Sequence, residues 1–174
     1  MVVFDASILL FVLDENTPSS VSGAKARVEH LIAHLSDAGE KIVIPTPALS
    51  ECLVYAGPAG AEYLAIIHKQ ACFRIVSFDE RAAVEAAIRI FEARQRGQKK
   101  GGDPDVSKAK IKFDRQIVAV GTVEGATAIY SDDSNVCNYA REAGMMGYRL
   151  ADLPLPLEDA QTTLPFDEDG EGGQ

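Results

Sequence analysis

Tryptophan is absent from the 174 residues, cysteine and histidine occur three times each, and no uncharged apolar run approaches the length of a membrane span. A bilayer crossing needs about 20 consecutive apolar residues. The start, MVVFDASILLFVLDE, carries Asp5 where a secretory leader would have a basic and then an apolar region, so the chain reads as cytoplasmic and unattached to membrane. Cys52, Cys72 and Cys137 are an odd number with no close pair, which excludes a disulfide framework and a CxxC metal knuckle and leaves three reduced, buried thiols. Without tryptophan, stacking on nucleobases would fall to Phe and Tyr alone. Apolar residues at 47% and charged residues at 25% exclude collagen-like, low-complexity and wholly disordered chains. The length suits one domain, and no internal repeat is present.

The formal charge of −9 argues against a sequence-independent, whole-surface grip on nucleic acid. Its distribution is uneven. Six acids and no base lie between Glu158 and Glu171, so the remainder of the chain is only mildly acidic. Between Arg94 and Arg115 the balance reverses, with Arg94, Arg96, Lys99, Lys100, Lys108, Lys110, Lys112 and Arg115 against three aspartates. This stretch is the candidate phosphate-facing rim.

Short β-branched runs alternate with segments of helical period, which predicts an α/β protein with a mostly parallel sheet. Strands are expected at 2–5, 42–45, 73–77, 127–131 and 148–150. Helices are expected at 6–14, 19–38, 47–56, 59–70, 80–96, 107–122 and 134–143, with Asp79 capping the fifth. GQKKGGDPD, from Gly97 to Asp105, has three glycines, a proline and no apolar side chain, and reads as an exposed loop. Residues 1–152 form the expected domain, and 153–174 the expected acidic, proline-containing tail.

Ligands of open α/β sheets bind beyond the carboxyl ends of the strands, so acids there are the informative ones. Asp5 closes the first strand in VVFDAS, and Asp132 and Asp133 follow the fourth in AIYSDDSN. Glu51 in TPALSECLVY and Asp114 in IKFDRQIV fall on helical stripes that otherwise look buried, shared with Ala48, Cys52 and Tyr55 in one case and Ile111, Ile117 and Val118 in the other. A desolvated carboxylate needs a partner. Four converging acids would repel by about 4 kcal/mol per pair at 4 Å and an effective dielectric of 20, and would call for a cation. An all-oxygen site suits Mg²⁺ or Mn²⁺ in preference to zinc.

These pieces, VVFDASILL, PALSECLV and KFDRQIVAVGTVEGATAIYSDDSNV in that order, resemble a PIN-domain ribonuclease, most of all the VapC-type toxins, over residues 1–152. The resemblance implies a Rossmann-like PIN fold, a central parallel sheet of order 3-2-1-4-5 with helices on both faces. It implies a catalytic and metal-binding set of Asp5, Glu51, Asp114 and Asp133, with Ser131 beside the last and Ser7 after the first as donors that fix carboxylate rotamers. The implied activity is Mg²⁺- or Mn²⁺-dependent hydrolysis of RNA phosphodiesters, with Glu51 a ligand or an orienter of the attacking water. The implied partners are an RNA substrate, an antitoxin protein whose basic side chain reaches into the acids, and a second copy of the chain in a homodimer. Asn135 stands where the family often has a further acid, and the Asp132–Asp133 doublet leaves the post-strand ligand ambiguous by one residue.

Three functions stay open: a toxin nuclease, a housekeeping RNA-processing nuclease, and a non-catalytic RNA-binding or scaffold domain. Retention of all four acids counts against the third. A haloacid-dehalogenase-like phosphatase would have Asp at position 7, where Ser7 stands, and a receiver domain would have Asp and Lys near Ser77 and Arg149. His30 and His34, one helical turn apart, are a rival metal pair, but no third ligand is evident and HLIAH lacks the glutamate of a metalloprotease.

Overall fold

The computed structural model describes residues 1–97 and 108–156. Five short strands, β1 (Val2–Phe4), β2 (Ile42–Pro45), β3 (Phe73–Val76), β4 (Ala128–Tyr130) and β5 (Met146–Tyr148), form one parallel sheet in the order β3-β2-β1-β4-β5. Seven α-helices accompany it among the described residues: α1 (Ala6–Leu13), α2 (Ala24–Asp37), α3 (Thr46–Ala56), α4 (Gly60–Lys69), α5 (Glu80–Gln95), α6 (Lys108–Val123) and α7 (Ser134–Glu142). The α/β class and the strand order are those expected from the sequence.

The central strand β1 and its neighbour β2 are buried on both faces, which is why they read as unbroken apolar runs. Side-chain alternation splits the core in two. Val3, Val43 and Ile129 point into a layer with Cys52, Ile117, Val120 and Tyr139, whereas Val2, Phe4, Ile42 and Ala128 point into a layer with Val28, Leu31 and Leu35 of α2. All three cysteines are buried and free. Among the described residues no helix is long and apolar enough to cross a membrane.

Asp79 caps α5 as expected, its carboxylate accepting from the Ala82 N–H at 2.9 Å. Two elements differ from the sequence reading by more than one residue at an end. Helix α2 begins at Ala24 and not near 19, because Gly23 takes a left-handed conformation (φ 65°) that no helix continues through. Strand β5 ends at Tyr148, two residues earlier than the span expected for it, because Arg149 and Asp152 close a 3₁₀ turn on Leu150–Asp152. The chain also stays on the domain slightly past 152. Leu153 is buried, and Arg27 of α2 donates to its carbonyl. Residues 157–174, which hold the acidic cluster, and most of the glycine-rich stretch Gly97–Asp105 lie outside the described residues.

Close packing of β5 against α7 depends on Gly147. A Cβ there would lie 2.7 Å from the carbonyl oxygen and 2.9 Å from the Cα of Cys137, both backbone atoms. Gly147→Ala is therefore expected to push α7 off the sheet and destabilise the protein by about 2 kcal/mol, in the range of overpacking substitutions. Thermal unfolding checks this; an unchanged melting temperature would show that α7 shifts freely.

Candidate active site

The strand ends of β1 and β4 meet side by side, with the Asp5 N–H donating to the Tyr130 carbonyl at 3.0 Å. Asp5 therefore sits at the start of α1, and Asp133, three residues beyond Tyr130, at the start of α7. Helix N-termini carry positive partial charge, which favours an acid at each position. Asp133 makes direct use of its place, Oδ1 accepting from the Asn135 N–H at 2.7 Å.

A hydroxyl network ties these two ends together. Oδ2 of Asp5 accepts from Ser131 Oγ at 2.6 Å and from Ser7 Oγ at 3.0 Å. The same serine oxygens accept from the next turn of chain, Ser131 Oγ from the Asp133 N–H at 3.1 Å and Ser7 Oγ from the Asp132 N–H at 2.9 Å. Ser131 is wholly buried. The pair thus fixes the Asp5 rotamer and the backbone path of the doublet at once. Within the doublet the carboxylates diverge: Asp132 pairs with Arg149 at 3.2 Å, while Asp133 pairs with Lys110.

Helix α6 brings the third acid. Asp114 is 3% exposed, as its place beside Ile117 and Val118 predicts, and its Oδ2 has no hydrogen-bond partner among the described residues. Burial pushes its carboxyl up to about 7; Lys110 counters this in part, while Asp133, Asp5 and Glu51 add to it. Burial likewise raises Asp5, against the hydrogen bonds of Ser131, the Ala6 backbone and Ser7. Asp133 behaves oppositely. Burial would raise it, but Lys110 and the Asn135 and Val136 backbone outweigh burial and hold it below the usual carboxylate range.

Glu51 corrects one expectation. Ala48 and Cys52 face the core, but Glu51 is exposed and Tyr55 is half exposed, so the acid stands at the mouth of the site and not on a buried stripe. Residues three apart, such as 48 and 51, are rotated by about 300° around a helix, enough to turn Glu51 off the core-facing side. Its pKa is raised by partial burial and then by Asp5 and Asp133, with Lys110 opposing, so its carboxylate still feels the other acids. Burial, Asp5 and Glu51 push the thiol of the adjoining Cys52 up to about 12, which keeps it in the thiol form.

The basic stretch requires a second correction. Arg115 is buried, its guanidinium 4.4 Å from the Tyr139 ring centroid and Nη1 donating to the Arg89 carbonyl at 3.3 Å, so it braces α5, α6 and α7 and does not track a ligand backbone. Lys110 turns into the acids, bonded to Asp133 Oδ2 and 3.7 Å from Asp114 Oδ1. Its role within the acid cluster is the feature that charge counting missed. The signal available was the four-residue spacing in KIKFD, which puts Lys110 and Asp114 on one helix face.

His30 and His34 do share the outer face of α2. They line a cleft of about 300 Å³ with Tyr130, Tyr148 and Asp152, and none of the four acids borders it. Among the described residues no three acid, histidine or cysteine side chains are arranged to hold one ion as they stand. The donor chemistry at the strand ends nevertheless fits a hard divalent cation: four carboxylates, no thiolate or imidazole, and a buried oxygen of Asp114 with nothing bonded to it among the described residues.

No family model and no curated protein matches the sequence. Solved structures do match the fold. A chain of VapBC2 from Rickettsia felis, bound to a DNA fragment from its promoter, aligns at TM-score 0.58 with 12% identity, covering 86% of this chain and 98% of that one. DNA-bound VapBC from Salmonella typhimurium aligns at 0.57 with 15% identity over 86% and 97% of the two chains. FitAB bound to an IR36 DNA fragment aligns at 0.58 with 14% identity over 88% and 98%. Nearly the whole length of each matched chain is thus represented, and the chain shares with these VapBC and FitAB components the parallel 3-2-1-4-5 α/β fold that its resemblance to PIN domains predicts.

Proposed function

We propose that the chain is a metal-dependent ribonuclease and the toxin of a toxin–antitoxin pair. The observation that carries the reading is the acid pocket where β1 and β4 end, with Asp5 and Asp114 buried, Asp133 and Glu51 in electrostatic contact with them, and Asp114 Oδ2 unpartnered among the described residues. A scaffold gains nothing from a repulsive cluster of this kind, which costs folding stability. The fold shared with VapBC and FitAB components supports an antitoxin as the protein partner. RNA as substrate, and a homodimer as the working form, rest on the sequence resemblance.

Asp5, Asp114 and Asp133 would hold Mg²⁺ or Mn²⁺. When bound, such an ion neutralises charge on the scissile phosphate and lowers the pKa of water. Ser131 and Ser7 lock Asp5 in one rotamer, so little side-chain freedom is lost when it takes up a ligand. Glu51, exposed and with a raised pKa, would serve either as a further ligand or to orient the attacking water. Asp132 pairs with Arg149 while Asp133 shares Lys110 with Asp114, which favours Asp133 as the post-strand ligand.

Purified protein incubated with total RNA tests this directly. Cleavage is expected with Mg²⁺ or Mn²⁺ and none with a chelator. Cleavage that persists in chelator would overturn the metal assignment.

A further inference from the structure

We infer that Lys110 is a tethered counter-ion of the acid site, holding its carboxylates together in the metal-free protein and giving way when a divalent ion enters. The inference rests on the metal-site reading above and concerns how that site is regulated. Lys110 lies one helical turn before Asp114 on α6, so both side chains leave the same face. Its ammonium bonds Asp133 Oδ2, at the start of α7, and stands 3.7 Å from Asp114 Oδ1. It therefore bridges acids carried by two different helices. Its field also reaches Asp5 and Glu51, lowering the cost of ionising each of them.

This arrangement is incomplete as neutralisation. An ammonium is a monovalent point charge that only donates. It contacts two carboxylates and faces the charge of two more, and Asp114 Oδ2 is left without a hydrogen-bond partner among the described residues. A divalent ion answers the same charges with twice the valence and several coordination positions. Lys110 also has a way out. Its side chain is 47% exposed, against 4% for Asp114 and 20% for Asp133, so the ammonium can return to water without crossing the core. Metal entry and Lys110 departure thus exchange one cation for another at the same oxygens, and the lysine sets a threshold of metal concentration for loading.

The test compares the full-length wild type with Lys110→Met, which keeps the apolar stem and removes the charge, and with Asp114→Asn. Mn²⁺ binding is measured by calorimetry at low ionic strength, and thermal unfolding in chelator. Lys110→Met is expected to bind Mn²⁺ roughly three- to tenfold more tightly, the worth of one displaced, partly exposed charge pair. It is also expected to melt at a lower temperature than wild type when metal is absent. Asp114→Asn is expected to lose Mn²⁺ binding. Equal or weaker Mn²⁺ binding by Lys110→Met, with Asp114→Asn defective, would overturn the competition while sparing the metal site. An unchanged metal-free melting temperature in Lys110→Met would overturn the holding role. Wild-type binding by Asp114→Asn, or no binding by any of the three, would overturn the metal-site reading and the inference with it. Lys110→Gln serves for the same measurements if the methionine variant aggregates.

Discussion

Asp5→Asn is expected to reduce RNA cleavage by roughly 10³-fold or more, the scale of losing a group on which metal-assisted hydrolysis depends. The substitution keeps shape and hydrogen bonding. Ser131 and Ser7 can still donate to the amide oxygen of the substituted side chain, as they donate to Oδ2 of the carboxylate. What it removes is the charge nearest the junction of β1 and β4. Asp5 is 5% exposed and its burial disfavours ionisation, so the neutral variant is expected to unfold within a few degrees of wild type or above it. Cleavage of total RNA in Mg²⁺ and in Mn²⁺, with both proteins purified in parallel, decides the matter. Wild-type rates from a nuclease-free preparation of the variant would mean that Asp5 serves the fold alone.

Asp114→Asn should separate function from stability even more clearly, abolishing cleavage while raising the melting temperature of the metal-free protein. The carboxyl of Asp114 is pushed up to about 7 by burial and by Asp133, Asp5 and Glu51, with Lys110 opposing. Its folded pKa lies above the unfolded one, so the folded state binds more protons. Stability from this group is accordingly present at low pH and lost as pH rises through about 7. Asp5 and Glu51 are shifted in the same direction. Asp133 is shifted the other way, and its contribution is lost only as pH falls through a value below the usual 3.8. In chelator, wild type should therefore melt at a lower temperature at about pH 8 than at about pH 5.5, and Asp114→Asn should lose the part of that difference that belongs to Asp114, with Asp5 and Glu51 keeping the rest. At the higher pH the gain from the substitution is expected to be on the order of 2 kcal/mol, or roughly 5 °C for a chain of this size. Saturating Mn²⁺ should reverse the ranking, since only the wild type gains by binding. A variant less stable than wild type at the higher pH in chelator would show that Asp114 is a satisfied structural acid.

The fold was legible because its signals are local. Runs such as VVF and IVIP announce strands buried on two faces, and the single-chain order of strand and helix admits few topologies. The misplaced start of α2 has an equally local cause. A few residues of favourable pattern precede Gly23, and only its left-handed backbone shows that the helix starts after it. Of the site, Asp5 was readable as an acid because it ends a strand, and Asp114 as a buried acid because it interrupts an apolar helical stripe. Glu51 was not, since periodicity identifies a face within a few tens of degrees and the margin of α3 falls within that uncertainty.

At Arg115 and Lys110 the reading of charge from sequence failed, for a physical reason; Lys99 and Lys100 lie outside the described residues. Eight bases within twenty-two residues look like one surface, yet α6 turns Lys110 and Arg115 to different sides of its circumference. Arg115 went inward to the Tyr139 ring, and Lys110 went to the acids. By itself the sequence determined the element order, the parallel sheet and the identity of the acids at its strand ends, because these follow from periodicity and from where a chain can leave a buried strand. Only the tertiary structure decided which acids are desolvated, which of the Asp132–Asp133 pair faces Asp114, and which cation stands among them. Those outcomes depend on side chains from segments more than a hundred residues apart, such as Asp5 and Ser131, meeting within hydrogen-bond distance.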